Sequence, residues 1–387
     1  MSLSIIINKV PALLGSNSGA AATKAMTELG VAACIGAGCV HGELISQTQI
    51  TALSKTTFGI LLPMFLGSSI LKTVATYGLR KSSLAGPLLG ILQPFLLYQL
   101  TTQILLPILG IDCNSDDGRC TAVCSAWGNT SVLPLIFADS LFRNHENKEL
   151  LEKFYATVSL FLVGWSPFFW SYGKSVLFNE ENNIKGKESP NILMKCKQLF
   201  SPPVTGISIG LVLAMIAPLR RLFISEQFAP LATVHSTFQT FGKAAAPLSL
   251  LVLTSSLALG LSGNTDRKTN NKKRYDKGIQ ASSSLLRQWM CVSISRFVVS
   301  PILMLFLLSS FQHFQFIDSY ENDPILWFAM IMQGCMPPAQ NLVLMLQVAN
   351  KQEKASDMAK FLFGIYATAM VPVVLILGYA LETFNLV

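Results

Sequence analysis

Apolar residues follow one another along most of the chain in stretches of about twenty residues, which short polar connections separate. About twenty helical residues cross the hydrocarbon core of a bilayer, whereas a β-barrel would show alternating segments of about ten residues. The pattern therefore predicts an all-α integral membrane protein. We place ten transmembrane helices, the predicted spans one to ten, at residues 24–41, 51–74, 84–110, 120–142, 153–178, 202–223, 231–260, 286–312, 323–350 and 354–384.

The fourth and ninth predicted spans are interrupted by proline and polar residues. The interrupting residues are Asn129, Thr130, Ser131 and Pro134 in span four and Pro337, Pro338, Gln340 and Asn341 in span nine. Proline removes a backbone donor, and carbonyl groups freed at membrane depth are tolerated only inside protein or beside a watery cavity. Two broken helices in corresponding halves are typical of the substrate site of a secondary transporter.

Ten spans divide into two sets of five, and an odd number per set inverts the second relative to the first. Similar segments, YATVSLFLVGWSP from Tyr155 and YATAMVPVVLILG from Tyr366, occur in spans five and ten, and Pro63 and Pro247 lie within spans two and seven. We expect an N-terminal lead at residues 1–23, a first five-helix repeat at 24–178, a short cytosolic loop at 179–201 and a second repeat at 202–387.

Composition agrees with a membrane protein, because 51% of the 387 residues are hydrophobic and only 13% are charged, against about a quarter in soluble proteins. The net charge of +8 comes mainly from polar loops, including 179–201 and 261–284, so membrane lipid rather than nucleic acid is the expected partner. Loops after odd-numbered spans hold 17 Lys and Arg and the opposite side holds 10. The positive-inside rule then places both termini on the non-cytosolic side.

The ends of the broken helices are candidates for an anion site. Helix N-termini offer unpaired amides and partial positive charge that can hold a carboxylate, and amide and hydroxyl side chains add donors. The polar residues of both interruptions suit this role: Asn129, Thr130, Ser131, Gln340 and Asn341. The alternative is that these side chains only repair backbone groups freed by proline or bond neighbouring helices.

Three charged residues within the predicted spans are candidates for charge or proton coupling: Asp139, Lys243 and Arg296. Either cation could offset an anionic substrate. Snorkelling or a tie to a backbone carbonyl is the structural alternative, which we favour for Arg296. Asp139 lies toward a helix end, where a solvated role is equally expected. His41 and His235 lie near span ends and are interpreted as polar interface residues rather than proton carriers.

No motif typical of an enzyme, a nucleotide site or a metal centre occurs in the sequence. We therefore expect no catalytic residue, cofactor or metal. Cys113 and Cys120 share a short polar loop, but its predicted cytosolic side disfavours a disulfide.

Five segments resemble the auxin efflux carrier family of membrane transporters, and its PIN-like group more than the PIN proteins with a long central loop. They are LSKTTFGILLPMFLGSSI, AWGNTSVLPLIFADSLF, GKAAAPLSLLVLTSSLALG, SRFVVSP and MPPAQNLVLMLQVANKQE, in spans two, four, seven, eight and nine. The resemblance covers nearly the whole chain after residue 24. It implies a fold like that of the bile-acid sodium symporters, with two inverted five-helix repeats whose broken helices four and nine cross near the membrane midplane beside the substrate.

The same resemblance implies transport of auxin or related carboxylates and suggests a homodimer. We expect a secondary transporter of amphipathic organic anions, such as indole-3-acetic acid, that works by alternating access. The expected location is the endoplasmic reticulum membrane first and the plasma membrane second. A permease for small dicarboxylates such as malate and a transporter-shaped ligand receptor are the alternatives.

Overall fold

A computed structural model describes residues 17–78, 81–130, 132–142, 145–147, 149–178, 202–224, 229–262, 274–349 and 351–386. These residues form helices and one isolated backbone bridge, with no β-strand among them. Counting a π-helical turn with the helix that it continues, the helices α1 to α14 are Asn17–His41, Gln47–Tyr77, 81–108, Asp116–Ala126, Val132–Phe142, 149–178, Pro202–Met215, Ala217–Phe223, Ala232–Lys243, Ala245–Ser262, 274–313, Pro324–Cys335, Asn341–Val348 and Gln352–Thr383.

Each predicted span coincides with one helix or with two helices in direct succession. Among the described residues, four helical segments are long and apolar enough to cross a membrane by themselves: Gln47–Tyr77, Leu84–Ile108, Ser284–His313 and Lys354–Thr383. The pair α7 and α8, which meet at a bend of 106°, would make a fifth. The described residues thus form an all-helical protein of the membrane type, and the ten-helix inverted repeat and its division into two halves remain predictions.

Two segments predicted as non-helical are partly helical. Helix α1 begins at Asn17, before the predicted start at residue 24, and α11 begins at Arg274, inside the polar loop predicted from Leu261 to Ser284. Alanine, glutamine, lysine and arginine have high helix propensity, and extending an existing helix requires no new nucleus. The loop at 179–201 and the lead at 1–16 lie outside the described residues.

Within the described part of the chain, four helices contain a π-helical turn, at Thr57–Leu61, Thr101–Leu105, Phe169–Gly173 and Ser295–Val299. Three of these turns are followed two residues later by proline, as Pro301 follows the last. Because proline crowds the carbonyl four residues before it, a wider turn relieves the clash. The Ser300 amide accordingly donates to the Ser295 carbonyl. The turns place the hydroxyl residues Thr57, Thr101 and Ser295 in the fully buried interior.

The helices pack in two bundles. The first bundle comprises α1, α2, α7, α9 and α10, and the second comprises α3, α4, α6, α11 and α12. Glycine allows close backbone approach in both: a Cβ at Gly206 of α7 would lie 2.4 Å from the Pro63 carbonyl oxygen of α2, and one at Gly164 of α6 would lie 1.9 Å from the Pro87 carbonyl oxygen of α3. Helices α5 and α14 contact both bundles, whereas α13 packs on α14, α2 and α10.

Candidate functional site

The two interrupted helices meet through their backbones. The segment between α4 and α5 runs antiparallel to the segment between α12 and α13. The Asn129 amide donates to the Pro337 carbonyl at 2.7 Å, and the Ala339 amide donates to the Trp127 carbonyl at 2.9 Å. We call residues 127–130 and 336–340 the crossing. Two backbone carbonyls within these interruptions are thereby paired inside the protein.

Arg296 is fully buried and ties the crossing together. Its Nε donates to the Met336 carbonyl at 2.8 Å, its Nη1 to the Ala126 carbonyl at 3.5 Å and its Nη2 to the Gln333 carbonyl at 3.3 Å. These carbonyls lie at the C-terminal ends of α4 and α12, where the helix dipoles are negative. Among the described residues, no carboxylate forms an ion pair with Arg296. Its contacts are those of the structural tie that we favoured from the sequence.

Polar contacts within the protein satisfy the Asn129 side chain at the first interruption. Asn129 Nδ2 donates to the Tyr366 hydroxyl at 3.0 Å, and that hydroxyl donates to the Pro338 carbonyl at 2.8 Å. Asn129 Oδ1 accepts a hydrogen bond of 3.4 Å from the Leu133 amide in the first turn of α5. The Asn129 side chain therefore caps this helix end itself.

The second interruption leaves polar side chains without partners. Both amide atoms of the Gln340 side chain and the hydroxyls of Thr57 and Ser249 are buried and make no hydrogen bond within the described residues. These three residues and Asn341 line a cavity of about 10 Å³, which is close to the space that one water needs. The Gln340 side chain does not cap α13. The positive end of α13 therefore borders this small cavity without a side-chain cap.

The remaining predicted site residues lie close by. Pro337 is in the crossing and Pro134 is in the first turn of α5, and both are buried. Thr130 is buried with an unpartnered hydroxyl, while its carbonyl accepts a hydrogen bond of 3.2 Å from Gln333 Nε2. Ser131 lies outside the described residues. The described members of the predicted set thus gather around the crossing, and their role in binding a ligand remains a prediction.

A larger cavity of about 660 Å³ lies between α2, α5, α6 and α9, a size that suits an organic ligand. Its charged lining residues are Lys72, Asp139, Glu152 and Lys243. Lys72 Nζ lies 3.8 Å from Glu152 Oε1, and both side chains are more than half exposed. Asp139 and Lys243, two of the candidates for charge coupling, therefore share a cavity that none of the predicted residues of the crossing lines.

Other titratable side chains have simpler surroundings. His41 ends α1 and is exposed, as expected of an interface residue. His235 is buried instead, with Nε2 3.4 Å from the Ser68 carbonyl oxygen, because α9 packs on α2. Cys113 and Cys120 form no disulfide.

Four polar residues around the crossing were not predicted as site residues: Thr57, Ser249, Gln333 and Tyr366. Two carried a local signal, because Tyr366 opens the segment that resembles the one from Tyr155, and Thr57 lies shortly before Pro63. Ser249 lies two residues after Pro247 and Gln333 four residues before Pro337. Their sequence positions do not distinguish them from hydroxyl and amide residues that bond their own helix.

Comparisons with known proteins bear on this site. A family model described as membrane transport protein matches residues 21–377. An uncharacterized transporter of Schizosaccharomyces pombe is 28% identical over 205 residues, which are 52% of this chain and 42% of that protein. Two Arabidopsis thaliana proteins are also similar. PIN-LIKES 3 is 23% identical over 175 residues, which are 45% of this chain and 39% of that protein. PIN-LIKES 5 is 27% identical over 154 residues, which are 40% of this chain and 33% of that protein. The chain therefore spans less than half the length of these relatives.

Proposed function

Because the chain belongs to the membrane transport protein family, as its resemblance to the auxin efflux carriers indicated, we propose that it is a secondary transporter of amphipathic organic anions. Membership supports the broad class that we propose, a membrane transporter. The substrate that we propose is a carboxylate with an apolar body, such as indole-3-acetic acid, and the mechanism is alternating access between the two sides of the membrane. The similarity to PIN-LIKES proteins supports this choice.

The observation that carries the proposal is the unpartnered polar cavity at the N-terminus of α13. The cavity has room for about one water as it stands, so a carboxylate can enter only when the helices around it move apart. The Gln340 amide and the hydroxyls of Thr57 and Ser249 can then donate hydrogen bonds to it, and the helix end adds partial positive charge. Arg296 meanwhile offsets the negative ends of α4 and α12. The polar environment at this end of the crossing therefore favours an anion over a cation.

An apolar layer between the two cavities supports alternating access. Thr57 lines the small cavity and Phe65 lines the large one, about 12 Å apart along α2 by helical rise. Leu61 and Leu62 between them, and Ala245 of α10, belong to one buried apolar cluster. A ligand that moves between the cavities must part this layer. A shift of one bundle against the other would do so.

The proposed setting is a homodimer in the endoplasmic reticulum membrane with both termini in the lumen. The count of 17 against 10 basic residues supports this orientation. The plasma membrane is the alternative location.

Uptake into liposomes tests the proposal. The purified protein is reconstituted, and initial uptake of labelled indole-3-acetate and of labelled malate is measured for the wild type, Gln340→Ala and Gln103→Ala. Gln103 is exposed on α3 and bonds Gln99 one turn earlier, so it gives a matched control. We expect saturable indole-3-acetate uptake, and a loss of about tenfold in kcat/KM for Gln340→Ala, because one hydrogen bond to a charged group contributes about 1.5 kcal/mol.

Other outcomes separate the alternatives. Uptake of malate alone would assign the chain to the dicarboxylate permeases. Binding of indole-3-acetate without uptake would favour a receptor. Equal activity of Gln340→Ala and Gln103→Ala would remove the small cavity from the substrate site.

A further inference from the structure

Gln347 joins α13 to the first bundle through two buried hydrogen bonds. Its Oε1 accepts from Ser54 Oγ of α2 at 2.5 Å, and its Nε2 donates to Ser256 Oγ of α10 at 2.8 Å. None of the three side chains is more than 5% exposed. We call Ser54, Ser256 and Gln347 the clamp. The clamp closes the space between α2, α10 and α13 with polar groups that satisfy one another.

Along α2, the clamp lies on one side of the small cavity and the large cavity lies on the other. Ser54 comes three residues before Thr57, which lines the small cavity, and Phe65, which lines the large one, comes eight residues after Thr57. By helical rise, these steps are about 4.5 Å and about 12 Å. The small cavity is therefore shut at one end by the clamp and at the other by the apolar layer of Leu61 and Leu62.

The other two helices of the clamp keep the same order. Ser249 of the small cavity lies between Lys243, which lines the large cavity, and Ser256 of the clamp. On α13, Gln347 follows Gln340 of the small cavity by seven residues, about 10 Å of helical rise. Three separate helices thus place the clamp beyond the small cavity.

The clamp also lies near the ends of its helices. Ser54 is seven residues from the start of α2, and Gln347 is one residue from the end of α13. These ends adjoin the loops after predicted spans one and nine, on the side that the basic residues predict to be cytosolic. In the proposed orientation, the clamp closes the small cavity toward the cytosol.

A shift of one bundle against the other would strain the clamp. Helix α13 begins at the crossing, which Arg296 of α11 in the second bundle holds with three hydrogen bonds. The clamp holds the other end of α13 to the first bundle with two hydrogen bonds between neutral groups. Bonds from a guanidinium are stronger than neutral ones, so the clamp is the contact that parts first.

We propose that the clamp is a gate: Gln347 releases Ser54 and Ser256 when the small cavity opens toward the cytosol, and bonds them again when it closes. The inference rests on the proposed transport function. Water can replace the hydrogen bonds of the released hydroxyl and amide groups, so opening costs little net free energy. Gln347 is thereby a positioning residue, which controls access to the small cavity without contacting the ligand.

A reversible lock tests the gate in liposomes. In a Ser256→Cys, Gln347→Cys variant, mercuric ion is used to bridge the two thiols, and the mass of the intact chain reports the bridge. We expect the bridged protein to lose uptake of labelled indole-3-acetate and dithiothreitol to restore it. A permanent contact would not respond in this way, because residues that never part can be bridged without effect.

The matched control is a second buried pair of glutamine and serine. Gln93 Nε2 of α3 donates to Ser300 Oγ of α11 at 2.8 Å, and both helices belong to the second bundle. A bridged Gln93→Cys, Ser300→Cys variant should keep its unbridged rate of uptake. The treated wild type accounts for native cysteines.

Thiol labelling gives a second measurement that needs no bridge. Val252 lines the small cavity and is 4% exposed. In detergent, a Val252→Cys variant should react slowly with a charged methanethiosulfonate. Adding Gln347→Ala should raise that rate about tenfold, the effect of losing about one buried hydrogen bond. Adding Gln93→Ala instead, which also removes a buried glutamine, should leave the rate unchanged.

Undiminished uptake by the bridged Ser256→Cys, Gln347→Cys protein would overturn the gate while leaving the transport proposal standing. Equal labelling rates with Gln347→Ala and Gln93→Ala would also overturn it, because Gln347 would then only stabilise the fold. If no bridge forms, the labelling rates decide. Absence of indole-3-acetate uptake by the wild type would overturn the proposed substrate, whereas labelling would still report whether the clamp opens.

Discussion

At the scale of single residues, the crossing depends on a close fit between Gly128 and Arg296. The guanidinium reaches three backbone carbonyls only because nothing projects from Gly128. A Cβ there would lie 2.0 Å from Arg296 Nη2 and 2.7 Å from its Cζ. Glycine is required at this position because the Arg296 guanidinium lies where a side chain would project. The buried guanidinium can then bond carbonyls at the C-terminal ends of α4 and α12, which would otherwise be uncapped.

We expect Gly128→Ala to lower the stability of the protein by about 1–3 kcal/mol, because Arg296 must move away from its carbonyls. Thermal unfolding in detergent measures the effect. Gly364→Ala is the control, since a Cβ at Gly364 has no atom within 4 Å and alanine has the higher helix propensity. A melting temperature of Gly128→Ala equal to that of the control would show that the fit is not tight.

At the scale of elements, α13 is a short helix fixed at one end and open at the other. Its N-terminus borders the small cavity through Gln340 and Asn341. Near its C-terminus, the buried Gln347 accepts a hydrogen bond of 2.5 Å from Ser54 Oγ of α2 and donates one of 2.8 Å to Ser256 Oγ of α10. These bonds fasten the half-helix to the first bundle, so the proposed carboxylate site is held against α2 and α10.

Gln347→Leu should destabilise the protein by about 1–3 kcal/mol, because Ser54 Oγ loses its buried acceptor and Ser256 Oγ, which still donates to the Val252 carbonyl, loses a donor, while the side-chain volume changes little. Thermal unfolding beside Gln103→Leu measures the difference, since Gln103 is exposed and bonds only within its helix. If Gln347→Leu unfolds at the control temperature, these hydrogen bonds do not hold α13 in place.

At the scale of the whole molecule, the large cavity lies between the two bundles, beside the direct contact of α2 with α6. Its walls come from α2 and α9 of the first bundle, from α6 of the second, and from α5 between them. Lys72 and Glu152 face each other across it. A second ion pair, between Lys153 Nζ and Asp323 Oδ1 at 3.1 Å, joins α6 to the start of α12 and lies within the second bundle. The two pairs distinguish movement between the bundles from movement within one.

Cross-linking tests whether the bundles move during transport. In a Lys72→Cys, Glu152→Cys variant, a short bifunctional thiol reagent should abolish indole-3-acetate uptake into liposomes, because it ties the two bundles together. The same reagent on a Lys153→Cys, Asp323→Cys variant should leave uptake near its untreated rate. The treated wild type accounts for native cysteines. Equal uptake by the two cross-linked variants would contradict a shift of one bundle against the other.

The sequence predicted the helices well because their signals are local. Hydrophobic runs of bilayer length indicated where each helix lies, and prolines and polar residues indicated the interruptions in α4–α5 and α12–α13. It also singled out Arg296, since a cation in an apolar stretch needs partners. Helix ends such as Asn17 and Arg274 were missed because helix propensity is a weak signal where an apolar stretch passes into a polar one.

Only the tertiary structure decided which polar side chains of the two interruptions find partners. By sequence, Asn129 and Asn341 were equivalent candidates at two similar breaks. Tyr366 arrives from α14 and satisfies Asn129, whereas Thr57 and Ser249 arrive from α2 and α10 and leave Gln340 unpartnered. These partners lie far apart along the chain, so no local pattern reports them. Length and apolarity determined the membrane helices, and packing between distant helices determined which polar groups remain available to a ligand.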